Sequence, residues 1–240
     1  MTSTPDNSDR SSRAPDSGRL VGEVALGCED ATAAFGRGLA SLLRAGDVVT
    51  LTGDLGAGKT TLSRAIGGAL GVPHGLVSSP TFVLINVYPF GPDPNWPRGG
   101  KLVHVDAYRA DGAETLANAG WDGLFDEHAL PRGDAAALVE WPERIREALP
   151  PSAAGIALEL TGVESRVVRV DLPATWRSRP GAEFLAWREP IRCRLTGAWV
   201  EPTNPNYPFA DSRTKLADLG KWFGGSYTIS RPARPEDVEG

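Results

Sequence analysis

Cysteine is scarce in this chain of 240 residues, which contains only Cys28 and Cys193. The two make no metal-ligand spacing and no disulfide framework. Because disulfide-rich scaffolds are typical of secreted proteins, we expect a reduced, cytoplasmic protein.

Long apolar runs are also lacking. No stretch approaches the roughly 18 consecutive apolar residues that a membrane-spanning helix needs. Residues 1–20 are polar and have no apolar region of the kind found in signal peptides. We therefore expect no membrane partner, and we interpret residues 1–20 as a disordered N-terminal tail.

Positive charge is not in excess, because the formal net charge is −5 at pH 7. A chain with this net charge has no positive electrostatic potential overall that would attract it to nucleic acid. We expect no DNA partner, and any contact with RNA would depend mainly on a partner protein.

The chain does contain a phosphate-binding loop. Residues 53–61 read Gly-Asp-Leu-Gly-Ala-Gly-Lys-Thr-Thr and match the P-loop pattern G-x-x-x-x-G-K-[ST]. A β-branched run over 48–52 precedes the loop and an amphipathic pattern over 61–70 follows it, which predicts strand, loop and helix. Glycines let backbone N–H groups turn toward an anion, and the helix N-terminus adds partial positive charge. We therefore predict that nucleotide is bound by Asp54, Leu55, Gly56, Ala57, Gly58, Lys59, Thr60 and Thr61.

Two residues of this loop have predicted chemical roles. Lys59 is positioned to reach the β- and γ-phosphates as a catalytic residue, and the Thr60 hydroxyl is positioned to bind Mg²⁺. A plain glycine-rich turn is the alternative, but the flanking strand and helix patterns disfavour it.

Two carboxylates end apolar runs further along the chain, Asp106 after residues 101–105 and Glu140 after residues 135–139. Ligands of open α/β sheets bind at the carboxyl ends of strands, and a P-loop needs acids there to hold Mg²⁺ and to position water. A helix-capping or solvated acid is the alternative interpretation for either residue.

Strands that alternate with helices around a P-loop predict an α/β fold. We expect a P-loop NTPase-like domain over 21–173, with a mixed, mostly parallel sheet and helices on both faces. Segments 156–160 and 166–172 predict a hairpin that adds an antiparallel margin. Residues 174–240 form a C-terminal extension of unassigned fold, whose mixed charges suggest a solvated surface. We accordingly expect residues 20–176 to suffice for nucleotide binding and hydrolysis.

Four motifs occur in a fixed order: the P-loop at 53–61, Ser-Pro-Thr-Phe at 79–82, His-Val-Asp-Ala-Tyr-Arg at 104–109 and Val-Glu-Trp-Pro-Glu at 139–143. In order and spacing, this set resembles the bacterial TsaE (YjeE) family over about residues 21–172. The resemblance implies an ATPase, slow on its own, that is required for N6-threonylcarbamoyladenosine at position 37 of tRNAs reading codons that start with A. It also implies ATP and Mg²⁺ as cofactors, a TsaB–TsaD pair as partner, tRNA contacted indirectly through the complex, and a cytoplasmic location.

The resemblance also implies roles for particular residues. Thr60 and Glu140 correspond to Mg²⁺ ligands, and Asp106 corresponds to an acid needed for hydrolysis. Ser79, Pro80 and Thr81 correspond to a switch-like loop. Thr32 is the nearest match to a nucleotide-contacting threonine that opens the first helix, with an ordinary helix residue as the alternative.

Two neighbours of the acids have less specific interpretations. Trp141 stacks on a base or packs under the sheet, and packing is favoured. His104 is interpreted as a packed or hydrogen-bonded histidine rather than a general base. Arg109 and Arg132 are candidates for contact with phosphate or with a partner, but an exposed ion pair is favoured for either. The chain departs from the family pattern at Ala107, where the family usually has leucine, and in the insertion over 91–100.

Two other functions remain open at the level of the sequence. A small-molecule kinase shares the P-loop, but no compact arginine-rich lid motif follows it here. A nucleotide-gated interaction protein with little turnover would bind nucleotide tightly without catalysis, and the sequence is compatible with that function.

Overall fold

The computed structural model describes residues 18–73, 75–77, 84–121 and 134–223. The predicted switch-like loop (Ser79, Pro80 and Thr81), Arg132 and residues 1–17 of the predicted tail lie outside the described residues. Among the described residues, no helix combines the length and apolar character needed to cross a membrane.

A seven-stranded mixed sheet forms the centre of the molecule, in the spatial order β1-β7-β6-β2-β5-β4-β3. Pairing is parallel from β6 through β2 and β5 to β4, and antiparallel at β3–β4, β6–β7 and β1–β7. Five strands therefore point one way, with β3 and β7 reversed, which confirms the predicted mostly parallel sheet. The strands are β1 (Leu20–Leu26), β2 (Val48–Thr52), β3 (Ile85–Phe90), β4 (Gly100–Asp106), β5 (Ala135–Glu140), β6 (Ala154–Leu160) and β7 (Arg166–Leu172).

Two apolar layers cover the two faces of the sheet. Leu102 and Leu138 belong to the larger core cluster with α1 and α2, while Val103 and Val139 belong to the smaller cluster with α3. This alternation follows from the period of two along a strand, which sends successive side chains to opposite faces. The helices are α1 (Glu29–Leu42), α2 (Lys59–Ala69), α3 (Ala113–Asn118), α4 (Ala182–Leu185) and α5 (Ser212–Phe223), with single 3₁₀ turns at Pro142–Arg144, Arg146–Ala148 and Ala174–Ser178.

Two segments of the fold have irregular local structure. Residues 142–148 form two 3₁₀ turns rather than one helix, because Ile145 between them has a non-helical backbone with φ −135°. Strand β3 contains Pro89, which is tolerated because β3 lies at the edge of the described sheet.

The ordered chain begins earlier than predicted. Arg19, placed in the predicted disordered tail, donates a 2.9 Å hydrogen bond to the carbonyl of Ala153 and pairs with Asp171. Strand β1 starts at Leu20, so Leu20 belongs to the sheet and Arg19 is bound to its neighbouring strands rather than lying in a tail.

The C-terminal extension packs on the domain. Trp176 is 2% exposed and joins Leu185 in the same core cluster as α1 and β1. The extension contains a small hairpin, β8 (Ile191–Arg192) with β9 (Trp199–Val200). The predicted solvated surface is therefore wrong for this part of the extension, and the packing does not support residues 20–176 as a self-sufficient unit.

Polar contacts fasten the extension along the length of α1. Arg179 donates to the carbonyl of Leu42 at 2.9 Å and to Asp47 at 2.9 Å, just past the end of the helix. Arg37 in the middle of the helix pairs with Glu201 at 2.6 Å, and Asp30 in its first turn pairs with Arg192 at 3.3 Å. Helix α1 is thus held between α2 and the extension.

Replacing Trp176 by alanine tests whether the extension stabilises the domain. We expect Trp176→Ala to lower the free energy of unfolding by about 3–5 kcal/mol, because it leaves a cavity in the main core. Trp187, which is 61% exposed, is the matched control, and Trp187→Ala should cost about 1 kcal/mol or less. Urea denaturation of both variants measures the difference, and equal midpoints would contradict a structural role for the extension.

Candidate nucleotide-binding site

The phosphate-binding loop connects β2 to α2 and depends on glycine at two positions. Gly53 has φ +137°, and a Cβ there would lie 2.3 Å from the carbonyl oxygen of Leu158. Gly58 has φ +100°, and a Cβ there would lie 2.3 Å from Nη1 of Arg166. Other residues rarely adopt these angles, and the space for a side chain is already filled. The loop therefore has its tight curve because both positions are glycine.

Lys59 is the first residue of α2 and is almost fully buried, with 5% exposure. Its Nζ donates to the carbonyls of Gly53 at 2.6 Å and Asp54 at 2.9 Å, and it lies 3.6 Å from the ring centroid of Trp141. Burial lowers the pKa of Lys59, and the nearby carboxylates, Glu140 first, act in the opposite direction. The ammonium group is thus held inside the curve of the loop, beside a cavity.

Glu140 ends β5 and receives hydrogen bonds from three other side chains. Thr60 Oγ1 donates to Oε2 at 2.9 Å, Ser63 Oγ donates to Oε1 at 2.9 Å, and His104 Nε2 lies 2.9 Å from Oε1. An ionised carboxylate only accepts, so the proton of the histidine contact belongs to Nε2. Burial alone would raise the pKa of Glu140, but the hydrogen bonds from His104, Ser63 and Thr60 hold it below its ordinary value. The carboxylate is therefore kept charged and fixed in orientation.

Asp106 ends β4 directly beside Glu140, because the two residues are register partners in the parallel β4–β5 pair. Parallel strands bring their carboxyl ends to the same edge of the sheet, which places both acids next to the P-loop. Asp106 is 9% exposed, and its Oδ1 accepts a hydrogen bond from the backbone N–H of Tyr108 at 3.1 Å.

These residues surround one cavity of about 200 Å³. It is lined by Leu55, Gly56, Gly58, Lys59, Thr60, Thr61, Asp106, Glu140 and Trp141. Of the other predicted loop residues, Asp54 contributes a carbonyl to Lys59, and Ala57 is buried at 1% exposure. The structure therefore brings the P-loop and both predicted acids together.

Thr32, predicted to contact nucleotide, does not line this cavity. It is fully buried in α1, and its hydroxyl donates to the carbonyl of Cys28, one turn earlier, at 3.1 Å. This is the contact of an ordinary helix threonine.

Trp141 packs against the smaller core cluster, as predicted, but its ring also lines the cavity. Its backbone is left-handed with φ +60°, which turns the side chain back from the end of β5 toward Lys59 and within 5.0 Å of the Tyr108 ring. Non-glycine residues rarely take this conformation, and it recurs at functional sites. The interpretation of His104 as a hydrogen-bonded histidine is confirmed, since it is fully buried against Glu140.

Sequence reasoning missed Ser63 and Arg166. Ser63 follows Thr60 by three residues, and this helical spacing puts both hydroxyls on one face of α2 toward Glu140. That spacing in the sequence was enough to identify Ser63 as a neighbour of the site. Arg166 carries no such signal, because the hairpin alone brings it to Gly58.

The donor set fits Mg²⁺. The Thr60 hydroxyl and the Glu140 carboxylate present oxygen atoms 2.9 Å apart at the cavity wall, and Mg²⁺ prefers oxygen ligands. No group of three or more His, Cys, Asp or Glu side chains forms a metal cluster in the described ranges. A P-loop site does not need one, since phosphate oxygens and water complete the coordination.

Residues 26–168 match the sequence profile of a family described as "Threonylcarbamoyl adenosine biosynthesis protein TsaE". Several relatives bear the name "tRNA threonylcarbamoyladenosine biosynthesis protein TsaE". The chain is 50% identical to the one from Streptomyces coelicolor over 110 residues, covering 45% of this chain and 66% of the relative. It is 36% identical to the Bacillus subtilis protein over 137 residues, which cover 57% of this chain and 77% of the relative. Identity to the Aquifex aeolicus protein is 34% over 152 residues, which cover 63% of this chain and 96% of the relative.

Among solved structures, the chain is similar to the crystal structure of Bacillus subtilis YdiB, with a TM-score of 0.47 and 28% identity. The match covers 64% of this chain and 88% of that one.

The lowered pKa of Glu140 predicts a pH-dependent contribution to stability. Glu140→Gln puts an amide N–H₂ against a buried donor, so we expect a loss of about 1–3 kcal/mol in the free energy of unfolding at pH 7. In the wild type, the charged carboxylate contributes fully to the free energy of unfolding above its ordinary pKa of 4.5. This contribution is lost as the pH falls through the lower pKa of the folded state. The gap in the free energy of unfolding between wild type and Glu140→Gln should therefore narrow below about pH 4.5.

Urea denaturation of both proteins between pH 7 and pH 3 measures this gap. Asp106 and the surface acids are the same in both proteins, so they cancel in the difference. A gap that stays constant down to pH 3 would show that Glu140 is not charged and paired in the folded protein.

Proposed function

The chain belongs to the TsaE family, and from this premise we propose that it is a Mg²⁺-dependent P-loop ATPase acting in tRNA threonylcarbamoyladenosine biosynthesis. The modification is N6-threonylcarbamoyladenosine at position 37 of tRNAs that read codons starting with A. The protein works with a TsaB–TsaD pair in the cytoplasm and hydrolyses ATP slowly on its own. The observation that carries the proposal is the convergence of Lys59, Thr60, Asp106 and Glu140 on one cavity.

Phosphate binding rests on the loop and on Lys59. The N-terminus of α2 and the backbone N–H groups of the loop present partial positive charge to an anion. Lys59 adds a full charge in a buried setting, where an ion pair with phosphate is stronger than in water. In the proposed complex its Nζ leaves the carbonyls of Gly53 and Asp54 for the β- and γ-phosphates.

Thr60 and Glu140 would hold Mg²⁺, which when bound supplies positive charge to the β- and γ-phosphate oxygens. Ser63 and His104 fix the Glu140 carboxylate from behind, so that Oε2 keeps its direction toward Thr60 and the cavity. Such outer hydrogen bonds normally hold metal-binding carboxylates in a single orientation.

Asp106 is the residue that positions the attacking water. It lines the cavity beside Glu140, and its backbone hydrogen bond with Tyr108 limits the movement of its carboxylate. A carboxylate at this place accepts a hydrogen bond from water and can take its proton as the water attacks the γ-phosphate.

Contact with tRNA is indirect in this proposal. The chain carries a net charge of −5, which opposes close binding to a polyanion without a basic partner. The TsaB–TsaD pair therefore provides the RNA-binding surface, and ATP hydrolysis here acts on that assembly.

Phosphate release from ATP, measured for the chain alone and with TsaB–TsaD, tests the proposal. Lys59→Ala should lower turnover by about 10²-fold or more, because it removes a central electrostatic contact. Lys215→Ala, an exposed lysine on α5, is the matched control and should leave turnover unchanged. Near-normal turnover of Lys59→Ala would contradict the P-loop assignment. Tight ATP binding without phosphate release, even with TsaB–TsaD, would indicate a nucleotide-gated switch instead.

A second pair of variants separates the two acids. Glu140→Ala should weaken Mg²⁺-dependent ATP binding, while Asp106→Asn should preserve binding and lower turnover by about 10²-fold or more. Calorimetric titration of Mg–ATP, alongside phosphate release, measures both effects. If Asp106→Asn abolishes binding and Glu140→Ala does not, the two roles are reversed, and if neither changes turnover, both acids are structural.

A further inference from the structure

Helix α5 of the C-terminal extension directs its leucines away from the protein. It lies outside residues 26–168, the region that matches the family profile. Thr214 is 7% exposed, whereas Leu216 is 68% exposed and Leu219 is 40% exposed. Residues two apart on a helix point about 200° away from each other around its axis. The helix therefore turns a polar residue inward and its leucines outward, which reverses the usual arrangement of a surface helix.

Polar contacts hold the inward side of α5. The carboxylate of Asp211, just before the helix, accepts hydrogen bonds from the backbone N–H of Thr214 at 2.7 Å and from its hydroxyl at 2.6 Å. Such an N-cap fixes the first turn of a helix. Asp218, one turn after Thr214, lies on the same side and is half-buried. No side chain that the structure describes over 212–220 belongs to either core cluster, so the helix is anchored without its leucines.

The outward side of α5 is an apolar stripe with positive charge at both flanks. Leu216 and Leu219 are neighbours because they are three residues apart on the helix. The sequence continues this spacing with Phe223, seven positions after Leu216. Arg213 and Lys215 are both exposed, and the helical repeat puts one on each flank of the leucines. We refer to these two leucines with Arg213 and Lys215 as the α5 surface.

The pattern of the α5 surface matches a helix that lies in a groove of another protein. Helices bound in this way use apolar anchors at positions i, i+3 and i+7. Protein interfaces combine an apolar centre with a polar rim, and their charges are arranged to be complementary. An apolar groove with carboxylates on its rim therefore complements the leucines and the flanking positive charges of α5.

Two other occupants suit the α5 surface less well. In a symmetric pair of α5 helices, Arg213 and Lys215 of both copies would enter one interface and repel each other, while Asp218 lies on the opposite side of the helix. Binding of a helix to a membrane scales with the apolar area that it buries, and this stripe is narrow. The net charge of −5 also opposes approach to anionic lipid.

We propose that the α5 surface docks into an apolar groove, bordered by carboxylates, on the protein partner of this chain. In the proposed function that partner is the TsaB–TsaD pair, so this inference rests on the proposed function and adds a place where the pair is held. The α5 surface does not line the P-loop cavity. Docking there therefore controls the affinity for the pair and leaves the chemistry of ATP to the P-loop.

Calorimetric titration of the TsaB–TsaD pair into the full chain tests the leucines. The double variant Leu216→Ala/Leu219→Ala should weaken binding by about tenfold or more, because it removes the anchors at the centre of the interface. Alanine favours a helix, so α5 itself should persist. The matched control is Val21→Ala, whose side chain on β1 is 71% exposed, and it should leave the affinity unchanged.

Reversal of one charge tests the acidic rim. Arg213→Glu should weaken binding by about tenfold at low salt, because it puts a carboxylate against the carboxylates of the groove. This loss should shrink as salt is raised, since screening weakens the repulsion. Arg98→Glu, at a 78% exposed arginine of the insertion, changes the net charge equally and should leave the affinity unchanged. Equal losses for the two variants would overturn the acidic rim.

Turnover of ATP distinguishes docking from damage to the domain. At saturating TsaB–TsaD, the wild-type chain and the α5 variants should have the same turnover, because the α5 surface lies outside the P-loop cavity. Urea denaturation of each variant verifies that it is folded. Should the double alanine variant not fold, Leu216→Gln/Leu219→Gln replaces it, with the same expected loss of affinity.

The outcomes separate this inference from the proposed function. If the pair does not bind the wild-type chain, the proposed partnership and the docking fail together, while Lys59-dependent phosphate release still decides the ATPase. If the pair binds the double leucine variant as tightly as the wild type, only docking through α5 is overturned. A wild-type dimer in sedimentation that the leucine variant abolishes would assign the surface to a second copy. Leucine-dependent binding to phosphatidylglycerol vesicles would assign it to a membrane, and either result overturns the proposal.

Discussion

The hydrogen bonds to the carboxylate of Glu140 are the interaction on which the site depends. They connect the end of β5 to two turns of α2, through Thr60 and Ser63, and to the neighbouring strand β4, through His104. A buried carboxylate is stable only when hydrogen bonds compensate its charge. Moving Thr60, Ser63 or His104 away would leave this charge unpaired in the interior, so the three side chains are held in place. The position of α2, and with it the curve of the P-loop, is thereby tied to the central strands.

Lys59 is the electrostatic counterpart of this arrangement. Burial disfavours its charge, while Glu140 and the other acids around the cavity favour it. The carbonyls of Gly53 and Asp54 and the face of Trp141 supply further negative potential at close range. The loop is therefore curved around a positive charge that the protein itself holds in place, and the phosphate binding proposed above would exchange these acceptors for phosphate oxygens.

Much of this site was predictable from sequence because its parts are local. The P-loop is a continuous motif whose glycines, lysine and threonine are read in register, and each acid ends a recognisable apolar strand. The parallel register then places Asp106 beside Glu140, as expected for adjacent strands with a common direction. Family resemblance and the profile match agree on the same region, residues 26–168.

The features that sequence could not supply depend on long-range contacts. Arg166 reaches Gly58 only because the β6–β7 hairpin folds over the P-loop, and no spacing in the chain reports that proximity. Trp176 and Leu185 enter the core from a segment with weak periodicity, so composition suggested a solvated surface. Trp141 turns toward Lys59 through a left-handed backbone conformation that propensities disfavour for tryptophan.

The contacts on both sides of α1 restrict the movement of this helix. With α2 on one side and the extension fastened at Asp30, Arg37 and Leu42 on the other, the helix cannot tilt without breaking contacts along its whole length. The β6–β7 turn opposite it is a short hairpin tip, with Val163 fully exposed to solvent. The cavity of about 300 Å³ between them is therefore bounded on one side by a helix held along its whole length and on the other by an exposed hairpin tip, which is the less constrained of the two sides.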